Sequence, residues 1–279
     1  MRKQFKLRNG DYYKFGNEME IMGIINITPN SFFEGSRRMD VEEAVKRARQ
    51  MKKDGATILD IGGESTRPGI NPVPEEEEIN RILPVIKAIK EEMDILISVD
   101  TYHAKTAEAA LEAGADIIND VTGLRGDPDM VKVCAKYDAP IIIMHMKKDP
   151  KTMQQDVHYD DFMKEVHEYF EDQINFAVEN GIDRDRIILD PGVGFAKNLE
   201  HNIEIIKKLE EFYVFDMPIL LAVSRKTFIG KILGDLPPEE RLEGTIAVSC
   251  FAAERGIEMI RVHDVEENRR AIRVMEALR

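Results

Sequence analysis

Short apolar runs alternate with longer stretches of helical periodicity along almost the whole chain. Runs over residues 21–26, 57–61, 95–99, 116–118, 141–144, 187–189, 218–223 and 258–262 have the length and Ile/Val/Leu content of buried strands. Between them the apolar positions shift to helical spacing. Ala44, Val45, Ala48 and Met51 share one face that stops at Gly55. Ile79, Ile82, Leu83 and Ile86 share another, with a kink expected at Pro84. Further helices are predicted over about 103–114, over about 128–137, along the face of Phe162, Val166, Phe170 and Ile174, and at the end of the chain. Asp40 with Glu43 predicts a capping-box start for the first helix. Ahead of the first strand, Asn9-Gly10 between short alternating runs predicts a tight hairpin.

Strongly apolar strands alternating with helices predict a parallel sheet covered by helices. About eight such units in 279 residues favour a closed (β/α)8 TIM barrel over an open, doubly wound sheet. The expectation is one domain over residues 1–279, with 1–18 as an N-terminal β-hairpin extension. The predicted strands end on Asn26, Asp60, Asp100, Asn119, His145, Asp190, Lys226 and His263. Barrels of this kind carry their active sites at the carboxyl ends of the strands, so most of these residues are expected in one cavity. Asp190 is the clearest case. An apolar run ends on its carboxylate where the chain breaks into Pro191-Gly192. A carboxylate at the mouth of a core must find donors, from the protein or from a ligand. The plainer alternative is a loop Asp that caps the next helix.

Composition narrows the function. The chain is 43% hydrophobic, enough for a sizeable core, and carries a net charge of −13. That charge argues against nucleic acid as a partner. An anionic substrate would then need a local basic cluster. No apolar run approaches the roughly 20 residues of a membrane span, and the first residues are charged and polar, unlike a signal peptide. Cys134 and Cys250 each fall inside a helical pattern. They are expected as small core residues in a reducing cytoplasm, not as a disulfide or metal pair.

Two groups of convergent residues carry chemistry. Asp100, Asn119 and Asp190 offer several acceptors and an amide donor, a set that suits the amino-pyrimidinone edge of a flat heterocycle. A carboxylate metal cluster is the rival, weakened because no His and carboxylate recur at ligand spacing on one element. Arg67, Lys226, Arg261 and His263 lie near the ends of different strands, beside Gly- and Ser/Thr-containing loops. Together they predict a phosphate or diphosphate site. Asn26, a neutral oxygen ligand, would suit magnesium held largely by substrate phosphates. Lys226 is open to a second reading as a Schiff-base lysine, and Met144 and Phe195 are expected on the apolar wall, or simply in the core.

The motifs occur in a specific order: Asn26-Ile27-Thr28-Pro29-Asn30-Ser31-Phe32, Gly63-Glu64-Ser65-Thr66-Arg67-Pro68-Gly69, Ser98-Val99-Asp100-Thr101 and Ile118-Asn119-Asp120. Then come Met144-His145-Met146, Asp190-Pro191-Gly192-Val193-Gly194-Phe195, Ser224-Arg225-Lys226 and Arg261-Val262-His263-Asp264-Val265. This ordered set resembles the dihydropteroate synthase family over nearly the whole chain. The resemblance implies a transferase that joins 4-aminobenzoate to (7,8-dihydropterin-6-yl)methyl diphosphate. It implies that Asp100, Asn119, Asp190 and Lys226 hold the pterin. It places Asn26, Thr66, Arg67, Arg261 and His263 at the diphosphate and Mg2+, and Pro68, Phe195, Lys226 and Thr227 around the aminobenzoate. It also implies a homodimer.

Departures from the family pattern fall in loops. Asn30 and Glu34 stand where Asp is usual, and Lys148 stands where Gly is common. Glu34 is expected to pair with Arg67 and close the first two loops over the departing diphosphate. Two other functions stay open: a pterin-binding methyltransferase barrel, and a homologue that binds a pterin or a protein partner without turnover. The first needs no diphosphate site, so Arg67, Arg261 and His263 count against it.

Overall fold

The computed structural model describes residues 4–27, 34–64, 73–147, 152–153 and 157–278, with the backbone alone for 34–40. Two strands, β1 (Gln4–Lys6) and β2 (Tyr12–Lys14), form an antiparallel hairpin. Eight parallel strands follow: β3 (Glu20–Asn26), β4 (Ile58–Gly62), β5 (Leu96–Asp100), β6 (Ile117–Asp120), β7 (Ile141–Met144), β8 (Ile187–Asp190), β9 (Leu220–Ala222) and β10 (Met259–Val262). From β3 to β8 each pairs with its neighbour in sequence, and β10 lies between β3 and β9. A single parallel bridge between Leu189 and Ile219 joins β8 to β9 and closes the ring. This is the expected (β/α)8 barrel.

Helices α1 (Glu34–Asp54), α2 (Glu75–Glu92), α3 (Ala104–Glu112), α4 (Met130–Lys136), α5 (Phe162–Glu179) and α6 (Leu199–Lys207) return the chain between successive strands. After β9 come two, α7 (Thr227–Ile232) and α8 (Leu242–Glu254), and α9 (Val265–Leu278) ends the barrel. The first helix begins earlier than expected. Asp40 lies inside α1 and is not its cap, because Arg37-Arg38-Met39, good helix formers, extend the helix ahead of it.

The strands are buried on both faces, which is why they are apolar throughout and not alternating. Side chains such as Ile21, Leu59, Val99 and Ile118 pack outward against the helices. Met22, Ile58, Ile117, Ile142, Ile188, Leu220 and Met259 form a separate apolar cluster that includes Phe5 and Phe15. The N-terminal hairpin therefore plugs the amino end of the barrel. Phe5 is fully buried and stacks on Tyr13 with ring centroids 5.2 Å apart. Arg186 ties the plug down, donating to the Leu7 and Asp138 carbonyls at 2.5 and 2.6 Å.

The hairpin connection is looser than a two-residue turn. Lys6 pairs with Tyr12, so residues 7–11 form the loop, and within Asn9-Gly10 only Gly10 takes a left-handed φ, of 90°. Asn9 instead accepts from the Asp11 N–H through its side chain at 3.0 Å. Among the described residues, no helix is long and apolar enough to cross a membrane.

Candidate active site

Strand register decides which polar side chains share the barrel mouth. Residues paired laterally point the same way. Gly62 pairs with Asp100, Asp100 with Asn119, Met144 with Asp190, and Ala222 with Arg261. Above the apolar plug, the interior thus turns polar. One cavity of about 990 Å³ opens there, lined by Asn26, Asp100, Asn119, Met144, Asp190, Phe195, Lys226, Thr227, Arg261 and His263. Thr66, Arg67, Pro68, Asn30, Lys148 and the side chain of Glu34 lie outside the described residues.

Arg261 is the electrostatic centre. Its Nε donates to Asp60 Oδ2 at 2.5 Å and its Nη2 to Asp100 Oδ2 at 2.7 Å. Asn119 Nδ2 also donates to Asp60 Oδ2, at 3.2 Å. A guanidinium has more N–H donors than these bonds use, so Arg261 can hold the two carboxylates and still face a ligand. Burial pushes the Asp100 carboxyl up to about 7, against the pull of Arg261. Asp100 Oδ1 is buried with no partner among the described residues. An orphaned acceptor on a cavity wall fits a ligand that brings its own N–H.

Asp190 ends β8 and accepts from the Gly192 N–H at 2.8 Å. Burial raises its carboxyl, and Lys226 partly offsets the rise. Lys226 arrives from the loop after β9. Its Nζ donates to the Val193 carbonyl and lies 4.6 Å from the centre of the Phe195 ring. Burial lowers this ammonium to about 8, with Asp190 opposing the drop. It is thus a desolvated donor beside an aromatic wall.

His263 is oriented by Ser224. The His263 backbone N–H donates to Ser224 Oγ at 3.1 Å, and the same hydroxyl lies 2.8 Å from His263 Nδ1. A hydroxyl that donates to Nδ1 places a neutral ring's proton on Nε2. The loop is held from behind by Arg225, at a left-handed φ of 55°, bound bidentately to Asp264 at 2.8 and 2.9 Å.

Two strand-ending residues do not join the cavity wall. Asp60 sits a layer below, under Arg261. His145 follows Met144 and points to the opposite side, where its Nδ1 meets Lys197 Nζ at 2.7 Å. Lys197 and Ser224 were not singled out from the sequence; a lysine in a Gly-rich loop looks solvated until the fold brings His145 to it. Among the described residues, no group of three or more His, Cys, Asp or Glu side chains is placed to hold a metal.

The chain's matches to known proteins agree with this geometry. Residues 22–263 match the model of the pterin binding enzyme family. The chain is similar to dihydropteroate synthase of Bacillus subtilis, 45% identical over 92% of this chain and 88% of that protein. Among solved structures it resembles Yersinia pestis dihydropteroate synthase with a sulfonamide drug complex. That match has a TM-score of 0.91 and 38% identity, and covers 99% of this chain and 98% of the other. It also resembles Xanthomonas albilineans dihydropteroate synthase in complex with 7,8-dihydropteroate. There the TM-score is 0.85 at 36% identity, over 99% and 98% of the two chains.

Proposed function

The chain belongs to the dihydropteroate synthases of the pterin binding enzyme family, and from that premise we propose how its barrel mouth divides the work. It joins (7,8-dihydropterin-6-yl)methyl diphosphate to 4-aminobenzoate, giving 7,8-dihydropteroate and diphosphate. The observation that carries the reading is the buried acceptor set of Asp100 and Asp190 with Asn119, on one cavity wall that also bears Arg261, His263 and Lys226. Asp190 accepts from the amino-pyrimidinone edge, Asn119 and Asp100 Oδ1 match further polar atoms of the ring, and Lys226 donates to it. Met144 and Phe195 supply apolar wall.

Arg261 and the Nε2–H of His263 take up charge on the departing diphosphate, with Thr66 and Arg67 in the same role. Asn26 is exposed at the mouth of the same cavity, and its amide oxygen fits a hard cation that keeps most of its waters. Bound there, Mg2+ would neutralise part of the diphosphate's charge. The methylene C–O bond breaks ahead of attack, in an SN1-like path, because the electron-rich dihydropterin stabilises the cation left behind. The neutral aromatic amine then forms the C–N bond and loses its proton to water or diphosphate. No general base is required, and Lys226 acts as a donor and not as a Schiff-base nucleophile. Pro68, Phe195, Lys226 and Thr227 surround the aminobenzoate, and Glu34 with Arg67 closes the loops above it.

The same proposal extends to assembly and place. Helix α8 buries Thr245 and Ser249 against the barrel, while Ile246, Val248 and Phe251 are only half-buried and Ala247 is exposed. Exposed Ile232 ends α7, exposed Leu233 follows it, and exposed Val274 lies on α9. A helix apolar all round belongs inside a protein, so a second copy is the natural cover, making a homodimer. Two free cysteines accord with a cytoplasmic setting.

The direct test is turnover of the two substrates, with dihydropteroate and diphosphate appearing in equal amounts. In excess chelator, activity should fall by at least roughly tenfold and return on adding magnesium. Full activity without metal would remove the role given to Asn26. Ser224→Ala should lower kcat/KM by about tenfold to a hundredfold at unchanged thermal stability, because His263 then loses the hydroxyl that orients its ring. Wild-type kinetics in this variant would show that His263 needs no such orientation.

A further inference from the structure

The loop after β8 is folded around one buried lysine, whose amine burial pushes well below its ordinary range. Lys197 is 3% exposed. Its Nζ lies 2.7 Å from His145 Nδ1, 3.0 Å from the Gly192 carbonyl and 3.1 Å from the Phe195 carbonyl. The His145 carbonyl stands further off, at 3.4 Å. The amine donates to the two carbonyls and shares its shortest contact with Nδ1 of the His145 ring. Burial, with Lys197, Lys147 and Arg125 nearby, keeps that ring neutral.

The backbone is bent to build this cage. Gly192, Gly194 and Ala196 all have left-handed φ values, of 70°, 85° and 48°. Ala196 has no glycine's freedom there, so the surroundings must hold it. A side-chain carbon at Gly192 would collide with the His145 carbonyl, which is why the loop can press so close to β7. Asn202 accepts from the Gly194 N–H at 2.6 Å, and the Tyr159 hydroxyl donates to the Ala196 carbonyl at 2.8 Å.

Gly194, Phe195 and Lys197 of this loop line the cavity. There the Val193 carbonyl accepts from Lys226, and the Phe195 ring lies against the Lys226 ammonium. Gly192 and Phe195 thus point their carbonyls at Lys197 while Val193 and the Phe195 ring meet Lys226. One buried lysine fixes the loop that places two groups of the acceptor site.

We propose that Lys197 is a positioning residue for the aminobenzoate half of the reaction. Its amine, caged by His145, Gly192 and Phe195, sets where Phe195 and Lys226 stand beside the incoming aminobenzoate. The proposal rests on the dihydropteroate synthase reading of the site. A lysine that only stiffened the fold would lower thermal stability and leave the balance between the two substrates alone.

Kinetics against both substrates separate these cases. Lys197→Met keeps the length of the side chain and removes the donors. It should raise KM for aminobenzoate roughly tenfold to a hundredfold, since small displacements of a binding wall cost that much. Pterin affinity by calorimetry should stay within about threefold, because Asp100, Asn119 and Asp190 remain in place on their strands. Lys197→Arg should resemble Lys197→Met, since a planar fork does not fill a cage built around a single nitrogen.

If Lys197→Met does not fold, His145 supplies the same test. His145→Leu removes one wall of the cage and should raise the aminobenzoate KM in the same way. His145→Gln restores an acceptor oxygen and should return it towards the wild-type value. A wild-type aminobenzoate KM in Lys197→Met or His145→Leu would overturn the proposal, as would an equal loss of pterin affinity. Absence of turnover in the wild type would instead overturn the functional reading itself.

Discussion

Asp190→Asn is expected to abolish useful pterin binding in a protein that stays folded. The carboxylate accepts on both oxygens; the amide turns one acceptor into a donor facing the N–H groups of the pterin edge. A mismatched buried polar pair costs ~1–3 kcal/mol, and more when one partner is charged. Affinity should therefore fall by roughly tenfold to several hundredfold, and turnover with it. Folding should not suffer. Burial raises the Asp190 carboxyl above its unfolded value. A carboxyl raised in this way helps the fold only below its unfolded pKa, and that help is lost as pH rises through the folded value. At neutral pH the neutral amide, which can still accept from the Gly192 N–H, should be tolerated at least as well. Calorimetry should show lost pterin affinity beside a melting temperature no lower than that of the wild type. Wild-type affinity in the folded variant would remove Asp190 from the pterin site.

Arg261→Met is expected to damage both fold and function. It leaves Asp60 and Asp100 buried with no guanidinium between them, and Asp60 Oδ1 and Asp100 Oδ1 already lack partners among the described residues. Removing one member of a buried ionic cluster costs about 3–5 kcal/mol. The loss should depend on pH, with a sign fixed by Asp100. Its carboxyl stands at about 7 even with Arg261 pulling it down, so removing Arg261 raises it further. A raised carboxyl penalises the fold above its unfolded pKa, and protonation relieves the penalty. The stability deficit of Arg261→Met should thus shrink as pH falls from about 8 towards 5. Urea unfolding of both proteins across that range measures it. A deficit that grows on acidification would mean that Asp100 is not held as a strained carboxylate. Activity should vanish at every pH where the variant folds, because the diphosphate loses its innermost cation.

The barrel was legible because buried parallel strands leave an unmistakable trace. Both faces are covered, so runs such as Ile141–Met144 and Ile187–Asp190 are apolar throughout and end abruptly on a polar residue. Strand ends lie at one mouth, so Asp100, Asn119 and Asp190 could be grouped from the sequence before any distance was known. Side-chain parity was harder to read. His145 is one residue past Met144, and that single step sends it behind the wall instead of into the cavity. Asp120 likewise follows Asn119 and turns away, accepting from the Thr122 and Leu124 N–H groups.

Depth was hidden for a similar reason. Asp60 ends an apolar run as Asp100 does, but Gly62 is the residue that pairs with Asp100, so Asp60 lies two residues lower. There it binds Arg261 and has no direct view of a ligand. The cage around Lys197 left no local trace at all. It depends on the Gly192 backbone coming against β7, a contact between segments some fifty residues apart that no periodicity records. The start of α1 was misplaced because a capping pair, Asp40 and Glu43, can also sit inside a helix whose earlier residues continue it.

A crystal structure of the chain with pteroic acid tests the central claim most directly. The pterin edge should lie against Asp190 and Asn119 at the floor of the cavity, within hydrogen-bonding distance of Asp100 and Lys226. The benzoate should run outward past Phe195 towards Thr227. A product bound elsewhere, or a pterin ring in the cavity with Asp190 and Asn119 unengaged, would contradict the account.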